Sequence, residues 1–289
     1  MTSSERRAFD PRLTPARGDI AARHLCGIVA AERYVDGRVF EVRDPSAPLR
    51  RHPAPDAPLD TEALLGERVT VYETTDEGWA WGQLASDFYV GWLPANALGP
   101  PGAELTHKVE ALRTFVFPGP SIKLPPLASL SLGSRLAIVS EQGPLAKIAS
   151  GGYVPARHLA PIERMEADPI TVAERFVGVP YLWGGKTSLG IDCSGLVQIS
   201  LNACGLACPR DSDMQEAALG ARIDPALFLA APRRGDLVFW PGHVAMARDG
   251  ATLVHANAHH MAVAIEPIAE AIARIRAGGS EIVSVRRLA

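Results

Sequence analysis

No stretch of the sequence approaches 18 consecutive apolar residues, which excludes a helical membrane span. There is no basic run either, and the net charge of −3 argues against a nucleic-acid partner or an anionic membrane surface. The opening Met1-Thr-Ser-Ser-Glu-Arg-Arg7 carries two arginines with no apolar segment behind them, so it does not read as a secretory leader and the expected location is cytoplasmic. Only four cysteines occur, Cys26, Cys193, Cys204 and Cys208, and their spacing matches no disulfide framework. Cys204 and Cys208 have no neighbouring histidine or second cysteine pair to complete a four-ligand site. His259 stands too far from His255 along a strand for the two to share one small ion, so neither metal nor other cofactor is expected.

What is present is the composition of an ordinary globular chain, 47% hydrophobic and 21% charged, and 289 residues suffice for two or three domains. Residues 1–40 form a lead-in with Pro11 and Pro15, then a helical pattern through Ile20, Ala21, Leu25 and Ile28. It is expected to wrap a neighbouring domain, unless its first dozen residues are disordered. From 41 to 162, short apolar runs alternate with Gly, Pro and Asp turns, which argues for small β-barrels. An internal repeat divides this region. Leu65-Gly-Glu-Arg-Val-Thr-Val-Tyr-Glu73 is echoed by Leu132-Gly-Ser-Arg-Leu-Ala-Ile-Val-Ser140, and Tyr89-Val-Gly-Trp-Leu-Pro-Ala95 by Gly151-Gly-Tyr-Val-Pro-Ala156. Two units follow, 41–101 and 102–162, divided at Pro100-Pro-Gly102, and the second lacks the Trp79-Ala-Trp81 strand of the first. Pro161 to Pro169 then links them to a third unit, 168–289.

That third unit is organised around Tyr181-Leu-Trp-Gly-Gly-Lys-Thr-Ser-Leu-Gly-Ile-Asp-Cys-Ser-Gly-Leu-Val-Gln198. Gly184, Gly185 and Gly190 predict an irregular loop. From Cys193 the apolar residues run unbroken to Gly205, which predicts a helix with the thiol in its first turn and Asp192 at its N-cap. Unpaired N–H groups and the helix dipole there favour thiolate over thiol, so a lowered pKa is expected. A nucleophilic thiol needs a base held by a third group. His243 begins a strand after Trp240-Pro-Gly242, and His255 lies on the strand after Arg248-Asp-Gly250, so a hairpin sets the two rings side by side on one face.

Tyr181-x-Trp-Gly-Gly185, Asp192-Cys-Ser-Gly195, Gly235-Asp-Leu-Val-Phe-Trp240, Gly242-His-Val244 and Val254-His-Ala256 together resemble the NlpC-type cell-wall peptidases, a papain-like superfamily of cysteine hydrolases. The resemblance covers 168–289, and the repeated units look like tandem bacterial SH3-like folds. The implied fold class is therefore multidomain, two small all-β SH3-like barrels followed by an α+β papain-like NlpC catalytic domain. The resemblance implies Cys193 as nucleophile, His243 as general base and acid, His255 as the group orienting it, and Tyr181 as an oxyanion donor. It implies Trp183 as cleft lining and Asp192, Ser194 and Arg210, assisted by Ser212, as ligands for the substrate's charged ends. In a subgroup with this layout an acidic residue and a tyrosine of the first barrel meet the substrate's amino end, for which Glu73 and Tyr89 are the candidates. The implied partner is a peptidoglycan stem peptide, L-Ala-γ-D-Glu-diamino acid, cut after γ-D-glutamate with no cofactor, and the freed fragment with N-terminal L-Ala implies recycling. Two alternatives stay open, an acyltransferase or amidase on the same scaffold and a wall-binding protein with a vestigial hydrolase. Lys186 is expected to be solvated, and the oligomeric state is not legible.

Overall fold

Arg68–Thr74 reads Arg-Val-Thr-Val-Tyr-Glu-Thr, and Val69 and Val71 are buried while Thr70 and Tyr72 are only partly so. That period of two makes a strand with one face turned to a core. The computed structural model describes residues 9–288, and in it such segments between Arg38 and Gly99 join into a seven-stranded antiparallel sheet. In spatial order the strands are Leu59–Leu64, Ser46–Arg50, Val90–Pro94, Trp79–Leu84, Arg68–Thr74, Arg38–Val42 and Leu98–Gly99. They wrap a core that includes Val42, Leu49, Ala63, Val69, Leu84 and Leu93.

Residues 107–161 form a second, smaller all-β unit in three short sheets around Val109, Val116, Leu130, Leu136, Ile148 and Val154. The sequence repeat has a backbone counterpart. Gly66 and Gly133 both take a left-handed φ, +82° and +93°, which a side chain would strain, and so both Leu-Gly turns are made the same way. Val90–Pro94 and Tyr153–Pro155 each run into a 3-10 turn, Ala95–Ala97 and Ala156–His158, and then into a closing strand.

The lead-in differs from its expected helix. Ile20–Ala22 is a strand paired in parallel with Arg33–Val35, and only Arg23–Leu25 makes a 3-10 turn. Tertiary packing overrides the helical spacing: Ile20 is wholly buried with Trp81, Val90 and Trp92 of the first unit. Arg12 carbonyl accepts from Val90 N–H, and Arg17 lies 4.5 Å over the Trp81 ring, so this segment clings to the barrel. What was expected of residues 1–8 lies outside the described residues.

In the third unit α1 (Pro169–Glu174) is capped by Asp168, and α2 (Cys193–Ala203) lies across a six-stranded antiparallel sheet. The sheet order is Ala221–Ile223, Ser284–Arg287, Leu237–Trp240, His243–Ala247, Thr252–Asn257 and Ala262–Pro267. Leu196 and Val197 of α2 pack on Phe239, Val244, Met246 and Val254. The opposite sheet face, with Val238, Ala245 and Leu253, is covered by α4 (Pro225–Ala230) and by α5 (Ile268–Ala277). Every residue of α2 from Cys193 to Leu201 is buried, because Leu64 of the first unit and Leu132 of the second close the side the sheet leaves open. The helix is thus an element on which all three units meet.

Candidate active site

Asp192 accepts from Gly195 N–H at 2.7 Å and from Gly184 N–H at 2.8 Å, fixing the N-terminus of α2 and the Gly-Gly loop with one carboxylate. A Cβ on Gly184 would stand 2.4 Å from the Leu59 carbonyl oxygen, so only glycine lets the loop pass under the first unit. Cys193 follows, 7% exposed, with the N–H groups of Val244 and Ser194 directed at its sulfur. The sulfur therefore lies against the residue next to His243.

Burial, reinforced by the Asp192 charge, pushes the Cys193 thiol up to about 11. This corrects the expected lowering: desolvation outweighs the helix terminus when the sulfur is sealed in. Burial and the neighbouring His255 push His243 down to about 3. Burial thus favours the neutral form of both the Cys193 thiol and the His243 imidazole.

Met246 pairs with Val254, a register that sets His243 and His255 on one face, two residues out of direct opposition. His243 Nε2 meets His255 Nδ1 at 2.9 Å, and the ring centroids are 5.1 Å apart. Behind them His255 Nε2 meets Glu266 Oε1 at 2.6 Å, and Arg274 of α5 donates to that same oxygen. Glu266 was not singled out from the sequence, although a lone carboxylate within the apolar strand Ala262–Pro267 is a signal. Tyr181 is half-buried, its N–H bonds the Met261 carbonyl at 2.9 Å, and its hydroxyl makes no hydrogen bond among the described residues. Burial and the nearby Cys193 raise its pKa well above the phenol range, so the hydroxyl keeps its proton.

Several expected substrate ligands are committed elsewhere. Arg210 is wholly buried and spends its donors on Asp192 at 2.9 and 2.8 Å, Ser194 Oγ at 2.8 Å, Thr61 Oγ1 at 2.8 Å and the Gly185 carbonyl at 3.3 Å. It braces the helix cap against the first unit, and no N–H remains for a substrate carboxylate. The Asp192 carboxylate is taken up by the same bonds, and Ser194 Oγ accepts from Arg210 while standing 3.3 Å from Asp192 Oδ1. Glu73 pairs with Arg17 and Arg33 of the lead-in, so its charge is already met within the chain. Ser212 opens α3 (Ser212–Ala218) half-buried, and Trp183 is 66% exposed in the loop before Cys193. Lys186 is 2% exposed with Nζ 3.4 Å from both Glu67 oxygens, which corrects the expected solvated lysine.

Tyr89 does reach the catalytic domain: its hydroxyl donates to Asp211 Oδ2 at 3.0 Å. Asp60, on Leu59–Leu64, is the acidic residue of the first unit at this place. Burial raises its pKa, the Arg51 charge lowers it, and the Asp211 charge raises it again. An open cavity of about 680 Å³ lies against Asp60 and Tyr89, walled by the first unit and by residues 9–17. Arg12 reaches from there to Asp211 at 2.8 Å and Asp213 at 2.7 Å. Asp60, Asp211 and Arg12 belong to no local motif, and only the fold gathers them.

A thiol at a capped helix terminus, packed on a strand that begins with one histidine and backed by a second, defines a cysteine hydrolase. Residues 178–277 match the NlpC/P60 family and residues 49–98 match the bacterial dipeptidyl-peptidase Sh3 domain, so the chain carries an NlpC/P60 cysteine-peptidase domain behind a bacterial SH3 domain. A gamma-D-glutamyl-L-lysine dipeptidyl-peptidase of Bacillus cereus is 26% identical over 73% of this chain and 71% of its own length. Dipeptidyl-peptidase 6 of Lysinibacillus sphaericus is 27% identical over 73% of this chain and 84% of its own. The crystal structure of an NlpC/P60 family protein from Bacillus cereus shares the fold, with TM-score 0.72 and 22% identity over 86% of this chain and 99% of that one. Among the described residues no helix is long and apolar enough to cross a membrane.

Proposed function

We propose that this chain hydrolyses the γ-D-glutamyl–L-diamino acid bond of peptidoglycan stem peptides whose N-terminal L-alanine is free, as in murein peptide recycling. The observation that carries the reading is the sulfur of Cys193 lying against Val244 N–H, one residue from an imidazole that a second histidine holds at 2.9 Å. The names of the two dipeptidyl-peptidases support the bond chosen. Asp60 and Asp211 beside Tyr89 support the free amino end, because an ammonium gains from carboxylates what an acylated nitrogen cannot. We also read residues 102–162 as a second SH3-like barrel, on the matching Leu-Gly turns and strand-turn-strand closures.

In this mechanism the neutral Cys193 thiol attacks the γ-carbonyl carbon and its proton passes to His243 Nδ1 as the C–S bond forms. The oxyanion is received by the Tyr181 hydroxyl and backbone N–H groups at the start of α2, donors worth about 3 kcal/mol each when pre-aimed. Collapse breaks the C–N bond, and the His243 imidazolium protonates the departing α-amine. Water, deprotonated by His243, then hydrolyses the thioester.

The test is hydrolysis of L-Ala-γ-D-Glu-diaminopimelate beside its N-acetyl form. Cys193→Ala is expected to lower turnover by about 10⁵-fold or more with the melting temperature retained. Retained turnover removes the thiol from the reaction, and equal cutting of the two peptides removes the fragment specificity.

A further inference from the structure

The histidine pair does not end the polar chain. From His243 it steps diagonally to His255 and then, on the last strand, diagonally again to Glu266, since Leu253 stands opposite Glu266 and Ala264 opposite His255. All three side chains lie on the sheet face that α5 covers, and α5 supplies Arg274. The geometry points to Glu266 as a positioning residue that, held by Arg274, sets the tautomer of both imidazoles and leaves His243 Nδ1 as the open base for Cys193.

The argument is one of donors and acceptors. A guanidinium can only donate. Arg274 and His255 Nε2 converge on the same oxygen, Glu266 Oε1, so that oxygen carries no proton and His255 Nε2 must be the donor in the 2.6 Å contact. A neutral His255 then presents a bare Nδ1, which makes His243 Nε2 the donor across 2.9 Å. His243 is left with its proton on Nε2 and a lone pair on Nδ1, the ring atom with no partner among the described residues. A proton added to His255 Nδ1 would reverse this bond and close the base. Burial opposes the Glu266 charge, yet the bond to His255 and the charge of Arg274 hold the carboxyl below its ordinary range. At the Glu266 end the titratable groups that act on the carboxyl are His255 and Arg274. At the thiol end stand Asp192, Arg210 and Tyr181.

Two variants make opposite demands. Glu266→Gln keeps a carbonyl oxygen facing Arg274 and His255, so the tautomer persists and kcat stays within about tenfold of wild type. Glu266→Leu removes the acceptor, so His243 becomes a mixture of tautomers and kcat falls about 100-fold while KM stays within about twofold. The tautomer is read directly from long-range ¹H–¹⁵N correlations of the full chain labelled in histidine. Should Glu266→Leu not fold, Arg274→Leu replaces it, because without the guanidinium a proton can share Oε1, and a mixed tautomer is again expected. An unchanged Nε2–H tautomer in the Leu variant that is measured, or a Gln variant as impaired as Leu, overturns the assignment. The kinetic arm rests on the peptidase reading above, whereas the tautomer is observed without substrate. A wild type inactive on stem peptides therefore sinks that reading alone.

Discussion

The two β units repeat one chain pattern but meet the catalytic domain in different ways. The first sends polar groups into it: Glu62 accepts from Lys186 N–H at 2.8 Å, Asp87 from Gln198 at 2.9 Å, Thr61 from Arg210, and Tyr89 donates to Asp211. The second braces the loop before Cys193 from behind, with Ser131 Oγ accepting from Ser188 N–H at 3.1 Å and Arg113 donating to the Ser188 carbonyl at 3.0 Å. On the reading proposed above, the first unit shapes recognition and the second supports. The difference shows that units with matching turns and closures come to differ through the few side chains that protrude at the contact.

The largest expected effect breaks the first contact at its root. Arg210→Leu leaves the buried Asp192 carboxylate without its cation and should cost about 3–5 kcal/mol, read as a lowered denaturant midpoint together with lost activity. A variant as stable as wild type would show that the brace is dispensable. Asp60→Asn is expected to lower kcat/KM about 10- to 100-fold for the free-amine peptide and to leave the N-acetyl peptide unchanged. Burial holds Asp60 above the ordinary carboxylate range, so its ionisation contributes an acid limb to kcat/KM above the usual 3.8, with activity rising as the pH rises through it. That limb should vanish in Asp60→Asn, and a superimposable pH profile would exclude Asp60 from recognition. Tyr89→Phe removes one hydrogen bond to a charged group and should lower kcat/KM about tenfold by the same assay. Ser131→Ala, in the second unit, should cost about 1 kcal/mol in urea and leave kcat/KM untouched. If Ser131→Ala matched Asp60→Asn in its selectivity for the free amine, the division of labour between the two units would be wrong.

The helix beginning at Cys193, the strand openings at His243 and the turns at Gly66 and Gly133 were legible because each depends on residues near one another in the chain. The surroundings of Arg210, Glu73 and Lys186 were not legible for the opposite reason. A guanidinium in an exposed-looking Pro-Arg-Asp-Ser loop grips whichever carboxylate the fold delivers, and here that is Asp192, with Thr61 from the first unit. The lead-in was read as helical because its apolar spacing fits a helix, but Ile20 gains more from burial beside Trp81 and Trp92 than a short isolated helix could offer.

By itself the sequence determined the chemistry available to this protein: a thiol in a helix's first turn, two histidines on adjoining strands, and a twice-repeated strand pattern. Local steric rules and the period of side-chain alternation suffice for that. Only the tertiary structure decided which charges are spent on architecture and which face the cleft, and how high burial lifts the thiol. It also decided that Glu266 and Arg274 stand behind the histidines. Desolvation and hydrogen-bond saturation depend on every neighbour in space, and those neighbours come from positions scattered between Arg12 and Arg274 that no spacing in the chain relates.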